Sequence, residues 1–414
     1  MVITNASLRG KPDLVDIFVE NGTFSQIAPA GTVPHSDQTV MDAKEHLVIP
    51  PFVEPHIHLD FALTAGIPHH NMSGTLFEGI QIWSDHKIQF PLDKEEIKEK
   101  VRKAIRMQLS YGVQVIRSHV DTTDEKLLAL ETMLEIKEEF RDIVELQLVA
   151  FPQEGIYAYP NGDVLIEEAV RMGADCVGGI PHFEYCRENG VRSVEKTIEL
   201  ACKYDRLVDV HCDETDDDQS RFLEVLAARA YENGIGSKVT ASHTVAMHSY
   251  NNAYCSKLFN ILKKSGIHFA VCPPENTHLQ GRGDSYPKRR GVTRVKELTE
   301  AGINVAFGQD SISDPWYPLG TGNLLRVLDF GLHVCQLTGY DEICRSLDFI
   351  TSHGAKLLNI EDHYGIEEGK PANFIILNAK SDFEAVQFLR EVLLSVRNGK
   401  VLMERTPSIA TLKI

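Results

Sequence analysis

The tripeptide His56-Ile57-His58 ends an apolar stretch that reads LVIPPFVEPHIHLD. Alternate residues on a strand point the same way, so the two imidazoles can share one metal ion. Buried imidazoles need partners, which argues against a simple core role and leaves a pair of surface histidines at a strand end as the alternative. Similar residues recur at the ends of later strand-like runs: His119 and Asp121, Gln153 and Glu154, His182, His211 and Glu214, His243, and Asp310. Three imidazoles and one carboxylate match what Zn²⁺ or Fe²⁺ binds while leaving room for a water. A cation so held lowers the pKa of that water from about 15.7 toward neutrality.

In HCDE, His211 can hold the metal while Glu214 reaches over to move protons between water, substrate and leaving group; otherwise Glu214 is a solvated acid in the acidic stretch Asp213 to Asp218. His243, in TASHTVAMHS, could be a further ligand or could polarise the water from behind. Asp310, in FGQDSISDPWYPLG, could ligate or take a proton, whereas Asp314 precedes a proline and reads as a turn former. His119 and His182 could be cavity walls, hydrogen-bond partners or caps, and His353 opens a late helix that it caps or packs. Gln153, in FPQEGI, offers a donor and an acceptor that can read the edge of a heterocyclic amide. Trp316 and Phe151 could sandwich a planar ring or simply pack. Most of the strand ends carry no Arg or Lys, which points to a neutral substrate; the basic loop Arg282, Lys288, Arg289 and Arg290 reads as a solvated or subunit-contacting face.

The elements that must position these groups are short β-rich runs alternating with helical stretches such as KEEIKEKVRKAIRMQLSYG, a pattern that predicts βα units and a parallel sheet. Candidate strands run from Leu47 to Val53, Val113 to His119, Glu145 to Phe151, Cys176 to Ile180, Leu207 to His211, Val239 to His243, His268 to Cys272 and Asn304 to Gln309. Together they suggest an α/β fold, a closed (β/α)8 TIM-type barrel, in which catalytic residues sit where strands run out into loops. A doubly wound sheet competes, but no GxGxxG follows the first strand. Alternating segments with Asn21-Gly22 and Asn398-Gly399 turns place a small β-sandwich at the two ends, residues 1–50 plus 365–414, around a barrel of residues 51–364.

The chain has 414 residues and a formal charge of −17, with 59 acidic against 42 basic residues, a balance that disfavours wrapping a nucleic acid polymer. Its eight cysteines show no CxxC spacing and read as reduced thiols. No stretch approaches the length of a membrane span, and the start MVITNASLRG lacks a signal-peptide pattern, so a soluble cytoplasmic protein is expected.

The segments PFVEPHIHLD, SGTLFEGI, FPQEGI, HCDE, ASHTVAMHSYN, HLQGR, YPKRRG and FGQDSISDPWYPLG, in this order, resemble the bacterial cytosine deaminases of the amidohydrolase superfamily over nearly the whole chain. The resemblance implies a barrel flanked by a β-sandwich, one divalent metal per subunit (iron or zinc), a homo-oligomer and a small-molecule nucleobase substrate. By residue, it makes His56, His58, His211 and Asp310 the metal ligands, has His243 and Asp310 assist the water, and has Glu214 shuttle protons. Gln153 would read the pyrimidine amide edge, with Leu76, Phe151, Ser311 and Trp316 as further substrate contacts. The implied reaction turns cytosine into uracil and ammonia.

Two positions depart from the family pattern: Ser311 follows the metal aspartate where another Asp is usual, and Gln309 precedes it where His is common. If position 311 faces the ring's C5 edge, serine opens space for a methyl group and removes a charge. A buried methyl gains on the order of 1 kcal/mol, while pressing it against a carboxylate costs about 1 to 3. Acceptance of 5-methylcytosine is therefore expected. Cys272-Pro273-Pro274 is a lesser departure in the cavity wall. The rivals are deamination of another neutral amino-heterocycle (isoguanine, isocytosine, creatinine or a pterin), ring-amide hydrolysis with two metals, and a metal-stabilised scaffold.

Overall fold

The computed structural model describes residues 1–34, 39–408 and 410–413. Its centre is a parallel eight-stranded sheet in sequential order: Phe52–His58, Val113–Asp121, Glu145–Phe151, Cys176–Gly179, Leu207–Cys212, Val239–His243, His268–Val271 and Val305–Phe307. A parallel bridge between Ile57 and Asp310 joins the last strand to the first, with His58 N–H donating to the Asp310 carbonyl and Asp310 N–H to that of His56, both at 2.9 Å. The predicted (β/α)8 barrel is thus present. Its closing seam runs through two of the histidines and the aspartate expected to do chemistry.

The helices follow from apolar spacing and caps. In Lys94–Ser110, Asp93 caps the N-terminus by accepting from Glu96 N–H, and Ile97, Val101, Ala104 and Ile105 recur at helical spacing on the buried face. These side chains join those of Leu128–Phe140 and the strands in one continuous core around the barrel.

The first candidate strand needs correction. Leu47–Ile49 belongs to the sheet formed by the termini, and the barrel begins only at Phe52. Pro50-Pro51 divides them, because proline cannot donate to a ladder in mid-strand. The terminal sheet pairs Leu47–Ile49 with both Val2–Leu8 and Phe374–Leu377, so the two ends of the chain form one unit. Ile3, Ile17, Phe24, Val48, Phe374 and Val396 share its apolar core. Both predicted hairpins are found, with positive φ at Asn21 (50°) and Gly22 (81°), and at Asn398 (48°) and Gly399 (71°). That is the twist a two-residue turn between right-twisted strands requires.

All eight cysteines are free. Among the described residues no helix is long and apolar enough to cross a membrane.

Candidate active site

The strand ends bring the expected groups together. His56 and His58 leave the first strand on one side, and His211, His243 and Asp310 converge on them from the fifth, sixth and eighth. The Nε2 atoms of His58 and His211 face each other at 3.0 Å. Asp310 Oδ1 lies 3.4 Å from His56 Nε2 and 3.6 Å from His58 Nε2. Ligands about 2.0–2.2 Å from one cation in tetrahedral array stand roughly 3.3–3.6 Å apart; the two Asp310 separations match that spacing, and the His58–His211 separation is slightly shorter. Burial pushes the proton affinity of His56, His58 and His211 well below the usual histidine range, as neutral ligands require.

The hydrogen bonds behind His56 fix which nitrogen faces the site. Ser242 Oγ donates to Asp209 Oδ1 at 2.5 Å and is therefore left to accept from His56 Nδ1 at 2.9 Å. The proton then sits on Nδ1, and the Nε2 lone pair, without a hydrogen-bond partner among the described residues, points at Asp310. Asp209 is anchored in turn by the fully buried Arg117, whose Nη1 donates to it at 3.1 Å.

His243 is held differently. The Cys272 N–H donates to Asn276 Oδ1, which orients the amide so that Asn276 Nδ2 donates to His243 Nδ1 at 3.0 Å. His243 Nδ1 also lies 3.6 Å from Glu214 Oε1 and 3.7 Å from Asp310 Oδ2, and burial lowers its pKa to about 3. His243, with His56, His211 and Asp310, forms one compact set of possible ligands; His56, His58 and His119 form another. His119 lies at 4.0 Å between ring centroids from His56.

Beside these groups is a small cavity lined by His58, His211, Asp310, Glu214, Gln153 and Ser311, with Phe61, Leu76, Ile180, Glu275 and Trp316 completing its walls. Among the described residues no lysine or arginine lines it, in keeping with a neutral ligand. Glu214 is 2% exposed, and burial followed by the nearby Asp310 raises its proton affinity well above the carboxylate range. Phe151 is not in the cavity wall, contrary to expectation. Its ring stacks on His211 with centroids 4.0 Å apart and so buttresses that imidazole. Phe61, three residues beyond His58, takes the expected place beside Trp316 at 4.6 Å between centroids.

Gln309 accepts from the backbone N–H of Thr321 and Gly322, tying down the loop after the eighth strand. Asp314 is the turn former expected, accepting from Trp316 and Tyr317 N–H at 3.0 Å each. The basic loop folds on itself and its neighbours, with Arg289 on Asp284 and on the Asp216 carbonyl, and Arg290 on that of Val334. His182 lies beside the site against the backbone of His211, and burial lowers its pKa to about 4.

Glu275 is a further acid at the site: it follows Cys272-Pro273-Pro274 in the first turn of the short helix Pro273–Leu279, and its position just beyond a strand end is the signal that marks it in the sequence. It stands beside Ser311, so the carboxylate absent from position 311 is matched by one from the neighbouring strand end.

The helix Leu76–Gln89 that supplies Leu76 is clamped to the barrel by Lys87, whose ammonium meets Asp121 at 2.8 Å and Glu154 at 2.9 Å. Trp83 Nε1 donates to the same Asp121 at 2.9 Å. Removing one partner of a buried pair costs about 3–5 kcal/mol. Lys87→Met is therefore expected to lower unfolding free energy by about 3 kcal/mol in urea titration, and a loss below about 1 kcal/mol would contradict this reading of the clamp.

Fold and site together define a metal-dependent hydrolase built on a (β/α)8 barrel. The amidohydrolase family model matches residues 64–403, and the chain belongs to that family. It is similar to 5-methylcytosine deaminase from Klebsiella pneumoniae, solved with 5-fluorocytosine, at 55% identity and a TM-score of 0.97 over 100% of this chain and 99% of that one. The N-isopropylammelide isopropyl amidohydrolase of a Pseudomonas species is 29% identical over 98% of this chain and 97% of its own length. A pterin deaminase of Rhizobium rhizogenes is 26% identical over 95% of this chain and 88% of its own.

Proposed function

We propose that this chain hydrolyses the exocyclic amine of free cytosine and 5-methylcytosine, giving uracil or thymine and ammonia. The observation that carries the reading is the juxtaposition of a Glu214 proton carrier, a Gln153 amide and a His and Asp cluster around one uncharged cavity. The 55% identity to a 5-methylcytosine deaminase supports it across the whole chain. His56, His58, His211 and Asp310 would hold one divalent cation, iron or zinc. Bound there, it would supply Lewis acidity and lower the pKa of water toward neutrality.

The chain's own groups divide the remaining work. Gln153 binds the N–H and C=O edge of the ring. Trp316 and Phe61 flank the ring plane, and Leu76 with Ile180 excludes water. Replacing C–NH₂ by C=O needs one proton delivered to the ring nitrogen and one to the departing nitrogen. Glu214, buried beside both Asp310 and His243, carries each in turn. His243, kept neutral by burial, orients the attacking water from the far side.

Ser311 gives the 5-methyl group its room. Ser311→Asp should reduce the ratio of kcat/KM for 5-methylcytosine to that for cytosine by about tenfold or more, since one methylene in a fitted cavity is worth about 10–200-fold. Steady-state ammonia release with both bases checks this. Negligible 5-methylcytosine turnover by the unaltered protein, with the ratio unmoved by the substitution, would remove the methyl from the proposal.

A further inference from the structure

Among the described residues, Asp310, Glu214, Asp314 and Glu275 lie close enough to act on one another beside the cavity, and the proposed reaction uses only two of them. Asp310 faces the histidine cluster, Glu214 is the proposed proton carrier, and Asp314 accepts through Oδ1 in the turn at Trp316; its Oδ2 has no hydrogen-bond partner among the described residues, but Asp314 lies outside the cavity lining. Glu275 is left over. It is 3% exposed, lines the cavity, and has an Oε2 with no hydrogen-bond partner among the described residues. A buried acceptor without a partner is costly and calls for a ligand donor.

The local chain holds this side chain in place. Pro273 and Pro274 open the helix with φ already suited to it, and helical side chains lean back toward the N-terminus, here toward the strand end and the cavity. Asn276, the next residue, is bound to both Cys272 N–H and His243, so the helix start cannot drift from the site. The Ser311 hydroxyl lies between the carboxyls of Glu275 and Asp314.

We infer that Glu275 is a substrate-contacting specificity residue: its free carboxyl oxygen accepts a hydrogen bond from the exocyclic amine of the ring. This inference rests on the amino-pyrimidine reading. With Gln153 on the amide edge, the reacting carbon must sit by Asp310 and Glu214, which brings its amine to the wall made by Ser311 and Glu275. Ionised or protonated, a carboxyl keeps an acceptor oxygen there. The carboxylate that Ser311 lacks is thus supplied from the helix after the seventh strand, where it reaches the amine without crowding a methyl on the adjacent ring carbon.

The test compares the metal-replete protein with Glu275→Gln, an isosteric change, using cytosine and 5-methylcytosine as substrates and uracil as competitive inhibitor. Uracil carries an acceptor where cytosine carries the donor amine, and the glutamine amide can donate to it. Glu275→Gln should lower kcat/KM for both bases by about 10–100-fold while tightening uracil binding several-fold. Adding Ser311→Asp to that variant should restore cytosine turnover about tenfold and leave 5-methylcytosine unrescued. Glu275→Asp, which keeps an acceptor, should retain the unaltered protein's preference for amine over carbonyl, and a variant protein with full metal content shows the site intact. The inference is overturned if Glu275→Gln stays within about twofold for both bases, or if cytosine and uracil weaken in parallel, as a structural role would produce. Should the unaltered protein release no ammonia from either base, the functional reading itself fails before Glu275 is at issue.

Discussion

Glu214→Gln is expected to lower kcat for cytosine on the order of 10²–10⁴-fold, the range general acid–base catalysis contributes, while leaving metal content and thermal midpoint close to those of the unaltered protein. The size follows from position. Glu214 is buried, 3.6 Å from His243 Nδ1, and lines the same cavity as Gln153, so the cavity offers few other groups able to hand a proton to the ring. Glutamine keeps the shape and can still donate a hydrogen bond, but it cannot give up a proton and take it back. Single-turnover ammonia release separates this from a binding defect: the rate should fall far more than the affinity. A loss smaller than about tenfold would place the proton transfer elsewhere.

Removal of the metal should have the larger effect on turnover and a second effect on stability. Chelation is expected to bring ammonia release down to the uncatalysed background, with restoration by about one equivalent of zinc or iron per subunit. Without a cation, the buried nitrogens of His56, His58 and His211 are left facing one another or an aspartate at 3.0 to 3.6 Å. A ligand that binds only the folded state stabilises it by about 4 kcal/mol at a free concentration of roughly 1,000 Kd. The thermal midpoint should fall on chelation and recover on reconstitution. Restoration that needs two equivalents would favour ring-amide hydrolysis at a paired-metal centre over deamination.

Much of the site was legible because chemistry in a barrel collects at strand ends, and strand ends can be read from where an apolar run meets His, Asp or Gln. His56, His58, His211, His243, Asp310 and Gln153 all lie at or just beyond strands that the alternation located. The hairpins were equally readable, since Asn-Gly supplies two residues tolerant of positive φ. What misled was local context. Leu47 to Val53 reads as one strand, yet Pro50-Pro51 splits it between two sheets. Phe151 reads equally as a ring contact or a packing residue; it is the last residue of its strand, and its ring stacks on His211 while Gln153 lies in the turn beyond.

Glu275 and Gln309 show a different limit. Their roles depend on partners distant in the chain, Ser311 for one and the Thr321 and Gly322 amides for the other, and neither pairing leaves a periodic trace. The exchange at position 311 accordingly looked like a lost charge when read alone. Within the fold it is one half of a pair, and the two halves should be varied together.

Ammonia release from cytosine and from 5-methylcytosine by purified, metal-replete protein tests the central claim most directly. The convergence of His56, His211, His243 and Asp310, with His58 against His211 and Asp310, beside Glu214 and Gln153 predicts turnover of both bases, abolished by chelation. A folded protein with its metal bound that released ammonia from neither base would contradict it.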